Sequence, residues 1–299
     1  MYALKNTDRR VKVFFPAVKL SMCFVDVTSS ARELEQRHQA GPSAGLSLGE
    51  ALAGVALLGS ALSEPDECIT LKLKVSGPLQ GLLVEAGSDG SLRGYPQIKR
   101  IPELDEASSP PPFERIFGEE GSMEVIRSVP GQILSSASCA IKPVSVTEAI
   151  ERYYEQSLQR LAVADVCAQR TGALLDGARG CLIECLPDGD EESFDRVRQR
   201  FFDDTVYNNL LDGVSIETLC TALDLAGAKI EPPEPLFFSC RCSYDRVLNM
   251  LAGLSADDLR EIADAGKSVE IVCHMCGKHY WVTPDDCRTI LKSKDGGAS

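Results

Sequence analysis

Four cysteines near the C-terminal end carry the clearest chemistry in the chain. Cys240 and Cys242 form a C-x-C pair, Cys273 and Cys276 a C-x-x-C pair, and 30 residues separate the two. Thiolates are the soft donors that zinc takes in a tetrahedron, and two close pairs brought together by an intervening fold fill four positions at little ordering cost per ligand. A site closed by four protein ligands has no open position for water or substrate, so the spacing points away from hydrolysis at the metal. An inert zinc staple is one reading; a redox switch is the other, and two details favour it. C-x-C is tighter than the pairs of ordinary zinc ribbons, and each pair could close a small-ring disulfide once the metal has gone. All four ligands are thiols, so an oxidant can attack each of them, pass through sulfenic acid to disulfide and eject the metal. His274 and His279 flank the site and could substitute as ligands, but the tetrahedron is already full, which leaves them surface or supporting roles. Cys287 reads as a helix residue rather than a fifth ligand.

The elements that must hold these thiols are short. Val269 to Val272 predicts a strand, Cys273 to Cys276 a knuckle, Gly277 the tight turn, and Tyr280 to Val282 the returning strand. Thr283-Pro284-Asp285-Asp286 predicts the capped start of a last helix, with proline at its first position and acids in its first turn. Ser243 and Ser255 predict the caps of two short helices carrying Val247, Leu248, Leu251, Leu259 and Ile262. A module this small has a thin core, so metal removal is expected to unfold it.

The rest of the 299-residue chain is long enough for one substantial domain beside this module. With 44% hydrophobic and 25% charged residues it has the composition of a folded globular protein. A net charge of −13 repels phosphate backbones and anionic lipid heads, which argues against nucleic-acid and membrane partners. The start MYALKNTDRRVKVFF lacks the basic, apolar and small-residue succession of a secretory signal. The longest largely apolar stretch, Ala51 to Leu62, falls short of the roughly 20 residues of a spanning helix, and the expected location is the cytoplasm. In a reducing compartment the other cysteines, Cys23, Cys68, Cys139, Cys167, Cys181, Cys185 and Cys220, are expected to be packing residues.

Alternation at period two predicts strands over Ile69 to Ser76 and Leu82 to Ala86, with Ser88-Asp89-Gly90 as the turn that follows. Further strands are expected over Val11 to Phe15, Cys23 to Val27, Met123 to Val129, Ile133 to Ile141, Ala164 to Cys167 and Cys181 to Leu186. Ser47 to Glu50 fits a capping box ahead of an apolar helix running to Leu62, and Ser145 to Glu148 starts another. Glu106 to Pro112, with three consecutive prolines, predicts a surface loop. Helical spacing of Phe194, Val197 and Phe201, then of Ile216, Leu219, Cys220 and Leu223, predicts amphipathic helices between Ser193 and Ile230. Glu231-Pro232-Pro233-Glu234-Pro235 stops them as a stiff connector. The expected fold is α+β: a mixed N-terminal domain over 1–187 with a large, mainly antiparallel sheet, a helical linker over 188–235, and a small zinc-binding domain over 236–299.

CRCSYDR from Cys240 and CHMCGKHYWV from Cys273 resemble the zinc-domain motifs of the heat shock protein 33 family of redox-regulated holdase chaperones. LSLGEALAGVALLGSAL, DGSLRGY, YYEQSLQ and ARGCLIECLP resemble successive segments of its core, although Leu158 stands where the family usually has Glu. The resemblance implies a reduced, zinc-bound form that is inactive as a chaperone, and an oxidised form with disulfides Cys240 with Cys242 and Cys273 with Cys276, zinc released, and module and linker unfolded. It further implies an ATP-independent hold on unfolding client proteins, often as a homodimer when oxidised, and no enzymatic activity. Two other classes compete with it. A zinc-ribbon nucleic-acid adaptor would use Arg241, Arg246, Arg260, Lys267, Lys278 and Arg288, but acids are interleaved among them and no basic stripe emerges. An enzyme with its site in the N-terminal domain would need a signature such as a P-loop, and the chain has only three histidines and no P-loop.

Overall fold

Apolar–polar alternation dominates the first two hundred or so residues, and the strands it produces sort into two sheets. The computed structural model describes residues 8–106, 111–142 and 144–296, and divides into two units that meet between Ser239 and Cys240. The first unit opens with β1 (Arg9–Phe15), β2 (Leu20–Asp26), α1 (Thr28–His38) and α2 (Pro42–Leu58). β3 (Cys68–Val75), β4 (Gly81–Gly87), β5 (Ser91–Pro96), the short helices α3 (Pro102–Asp105) and α4 (Phe113–Phe117), β6 (Gly121–Val129) and β7 (Gln132–Ile141) follow. The unit ends with α5 (Val146–Arg152), β8 (Ala162–Thr171), β9 (Leu174–Cys185), α6 (Glu191–Phe202), α7 (Thr205–Asp212), α8 (Ile216–Ala222) and the two-residue strands β10 (Lys229–Ile230), β11 (Glu234–Pro235) and β12 (Phe237–Phe238).

One sheet runs β10-β1-β2-β9-β8, with β11 also paired to β1; the other runs β12-β5-β4-β3-β6-β7. Pairing is antiparallel apart from β12 on β5, so the α+β expectation with mainly antiparallel strands holds, spread over two sheets. The strand expected at Ala164 to Cys167 extends to Ala162–Thr171, and that at Cys181 to Leu186 is the end of Leu174–Cys185. Of the expected loop Glu106 to Pro112, Ala107 to Pro110 lie outside the described residues.

Helix α2 is apolar on every side, so it can be stable only where all its faces are covered. It contacts strands of both sheets, and Ser43 to Leu58 are buried. At Gly54 a Cβ would come within 2.6 Å of the Val146 side chain, so α5 approaches α2 closely only because that position has no side chain. With a 3₁₀ turn it forms Pro42–Ala61, long and apolar enough to cross a membrane but 89% buried within the protein. The capping box expected at Ser47 does not start this helix. Pro42 occupies its first turn, the Ser43 amide donates to the Asp105 carboxylate at 2.9 Å, and Ser47 is interior, its hydroxyl donating to the Ser43 carbonyl. The cap comes from α3, distant in sequence, so local pattern placed the cap at Ser47, six residues after Gly41, where the helix is capped.

The outer face of the first sheet carries Val11, Val13, Phe15, Met22, Phe24 and Ile183. Phe194, Val197, Phe201, Val206, Leu210 and Leu219 of α6 to α8 close over it as a second core. Three helices stand where two were expected, because Asp204 takes a left-handed φ of 59° and breaks the run. α7 is stapled by its carbonyl end. Arg179 donates to the Leu210 carbonyl at 2.9 Å while its Nε holds Asp26 at 3.1 Å, and Gln169 donates to the Leu211 carbonyl at 2.9 Å. The connector expected over Glu231 to Pro235 is docked along β1: Arg9 pairs with Pro235, and Arg10 meets the Glu234 carboxylate at 2.6 Å.

Candidate metal centre

The second unit begins with the first ligand candidate. Cys240 and Cys242 precede α9 (Tyr244–Leu251), α10 (Ala256–Asp264) follows, and the hairpin β13 (Val269–Val272) and β14 (His279–Val282) leads into α11 (Pro284–Gly296). Each expected cap forms. The Ser243 hydroxyl accepts the Arg246 amide at 3.2 Å, Ser255 accepts that of Asp258 at 3.1 Å, and Thr283 and Asp286 exchange backbone-to-side-chain bonds at 2.8 and 3.2 Å. The knuckle closes where the Gly277 amide donates to the Cys273 carbonyl at 2.8 Å, and Gly277 adopts a φ of 69°, a value costly for other residues. β13 and β14 pair in the register Val272 with His279, so Cys273 and Cys276 sit in the turn that joins the two strands.

All four Sγ atoms lie within 4.8 Å of one another, with Cys240 and Cys273 3.8 Å apart and Cys242 and Cys276 3.5 Å apart. Sulfurs bound at 2.3 Å around a tetrahedral zinc are separated by about 3.8 Å. The donors therefore suit such an ion in number, chemistry and spacing. Neither histidine joins the cluster: His274 is exposed, and exposed His279 has its Nδ1 2.5 Å from Glu270. Cys287 is fully buried in the small core of this unit with Val247, Leu251, Leu259, Val282 and Ile290.

Tyr280 is the residue that sequence spacing did not single out. Its hydroxyl donates to Cys242 Sγ at 3.1 Å. Burial raises the Cys242 thiol, but hydrogen bonds from Tyr280 and the neighbouring thiols outweigh it and bring the group down to about 7. Burial pushes Cys273 and Cys276 the other way. Cys242 is thus the thiol that these hydrogen bonds draw toward ionisation. The only sequence signal for Tyr280 is an aromatic placed four residues after the second cysteine of the knuckle. The other cysteines lie away from this cluster; Cys23, Cys167 and Cys181 are buried, and burial holds their thiols protonated.

The sequence matches the family model described as Hsp33 protein over residues 8–283. It is 30% identical over 282 residues to a 33 kDa chaperonin of Cyanothece sp., covering 91% of this chain and 94% of that one. It is 32% identical over 269 residues to a 33 kDa chaperonin of Microcystis aeruginosa, covering 86% and 88%. The crystal structure of the 33 kDa chaperonin of Thermotoga maritima superposes with a TM-score of 0.84 at 18% identity, over 97% of this chain and 99% of that one, and so shares the fold. The strands, the cysteine cluster and the family model agree that this chain belongs to the Hsp33 family of chaperones.

Proposed function

We propose that the protein is an ATP-independent holdase whose client surface is opened by oxidation of its four-cysteine centre. The observation that carries this reading is the placing of four clustered thiols in a unit whose apolar core is thin. Cys240, Cys242, Cys273 and Cys276 would hold one ion, and an all-thiolate tetrahedral set is the ligation of zinc. When bound, zinc keeps the thiols deprotonated and ties the ends of the unit together.

Oxidation then acts on the chain's own sulfurs. A thiolate attacks peroxide and becomes a sulfenic acid, with one water formed; the second thiol of the pair displaces the remaining oxygen as a second water, and a disulfide forms. Cys240 joins Cys242, and Cys273 joins Cys276, each pair consuming one peroxide. Without four thiolates to gather them, the caps at Ser243, Ser255 and Thr283 and the small core do not keep the unit folded. In this reading the chain divides at 187 and 235. Residues 188–235 come off the first sheet, and Val13, Phe15 and Phe24 become a surface for unfolding proteins. The oxidised form self-associates as a homodimer in the cytoplasm, with no nucleic-acid or membrane partner and no catalysed reaction. Arg260 and Arg288 are paired with Asp257 and Asp285, which weakens the case for a basic nucleic-acid face.

The test is zinc content and suppression of client aggregation, measured before and after peroxide with mild heat. Zinc release together with gained protection is expected; oxidised, zinc-free protein that protects no better than the reduced form would overturn the proposal.

A further inference from the structure

Where α2 and its 3₁₀ turn end, Ser60 and Ala61 border a cavity of about 390 Å³ over the inner face of the first sheet. Strand alternation supplies its floor. Lys12, Cys23 and Leu182 stand side by side on β1, β2 and β9, and Phe14, Ser21 and Glu184 form the next row. The helical turn Tyr153–Leu158 adds Tyr154 and Leu158 as walls. The volume lies in the range of small-molecule sites. Two other depressions of this unit are smaller, about 230 Å³ each, and are lined by the carboxylates of Glu151 and Glu155.

Tyr154 makes the cavity more than a gap in the packing. It is only 3% exposed, and among the described residues nothing bonds to its hydroxyl, whereas a phenol taken out of water normally has a partner. Glu184 and Arg160, whose charges act on that hydroxyl, and the Cys23 thiol beside it all line the same cavity, so the hydroxyl faces the enclosed space. Burial keeps both Tyr154 and Cys23 protonated, and the floor therefore offers donors. The cations at the rim are unequal. Arg160 is matched by Glu184 at 2.8 Å, but Lys12 is the second cation on Glu234, 3.5 Å from a carboxylate that Arg10 already holds at 2.6 Å. Glu231 stands exposed at the mouth, where water screens it.

From this arrangement we infer that the cavity binds a small monocarboxylic acid with an apolar body. Lys12 and Tyr154 both neighbour Cys23, one across the β1–β2 pairing and the other from the wall. A carboxylate over Cys23 can therefore turn one oxygen to the Lys12 ammonium and the other to the Tyr154 hydroxyl, two bonds strengthened by its charge. The body of the acid then lies between Phe14, Leu158 and Leu182. A ligand ammonium would bring more donors to a floor of donors, and an uncharged alcohol would leave Lys12 without its gain. The inference uses none of the thiols of the metal centre, and its failure would leave the redox proposal untouched.

The experiment is calorimetric titration of the full-length reduced protein with octanoate and with phenylacetate, each beside its matching alcohol, octanol or phenylethanol. The two acids separate an aliphatic from an aromatic body. One-to-one binding of at least one acid is expected, tighter than that of its alcohol, with slower hydrogen exchange in β1, β2 and the Tyr153–Leu158 turn when it is bound. Tyr154→Phe and Lys12→Met should each weaken that acid about tenfold, and Lys12→Met should also erase its advantage over the alcohol. Ala61→Trp, at an exposed position on the rim, should block entry while the thermal unfolding midpoint stays that of the wild type. No saturable binding of either acid below about 10 mM would overturn the inference. So would an alcohol bound as tightly as its acid, or binding that Tyr154→Phe and Ala61→Trp leave unchanged.

Discussion

The helices over the first sheet and the four-cysteine unit are both assembled from short amphipathic pieces, yet they are held by different forces. α6 to α8 lie on a wide apolar face where Phe194, Val197 and Val206 are 0–3% exposed, and Arg179 and Gln169 fasten the carbonyl end of α7. The C-terminal unit has a narrow core and gathers its chain ends through thiols. Hydrophobic burial is indifferent to oxidants, while thiolate ligation is lost on oxidation. The difference teaches where the proposed switch must divide: the oxidant acts on the thiols of the C-terminal unit, and the helices over the sheet have only apolar burial and hydrogen bonds to lose.

The most severe way to break this comparison is to remove the proposed zinc. Chelation of zinc, or Cys240→Ser, should unfold residues 240–296 and leave the first unit folded, because ligation energies of about 10 kcal/mol or more exceed what a core this small supplies. Hydrogen exchange resolved by peptide checks it, and a C-terminal unit that keeps its protection without metal would erase the distinction. Next in size, Phe194→Ala should loosen the helical cover by about 3 kcal/mol while leaving zinc bound. Reduced protein carrying it is expected to bind clients partially, measured as aggregation suppression without peroxide.

Much of this contrast was legible in the sequence. Cysteine spacing located the centre, serine and threonine caps placed the helices around it, and alternation placed most strands, since each signal is local. What escaped depends on residues far apart in the chain. Asp105 caps α2 across 62 positions, Glu234 docks the proline-rich connector on Arg10 across 224, and Tyr280 reaches Cys242 across 38. The apolar stripes of α6 to α8 read as helix packing, but no periodicity says which face they cover.

Smaller effects sharpen the comparison. Arg179→Ala removes the staple on Leu210 and should weaken the cover by about 1–3 kcal/mol, read as faster exchange in α7. Acidity should act on the same helices. Burial, then the nearby Glu151 and Asp204 charges, raises Asp165 beneath α7 to about 7. The folded form therefore favours the protonated acid, so stability is greatest at low pH and is lost as pH rises from about 4 through about 7, then levels off. Denaturant titrations at pH 5 and 8 should show that loss, and Asp165→Asn should flatten it. Least of all, Tyr280→Phe removes the hydrogen bond to Cys242 and should lower metal affinity about tenfold without unfolding the unit, as competition with a chromogenic chelator would show.

Peptide-resolved hydrogen exchange over residues 188–235, in reduced protein and in protein whose zinc release and disulfides have been verified after peroxide, tests most directly whether the thiols control the helical cover. Loss of protection in α6 to α8, with β2 and β9 still protected, is the expected result. Full protection of those helices in the oxidised, zinc-free protein would contradict it.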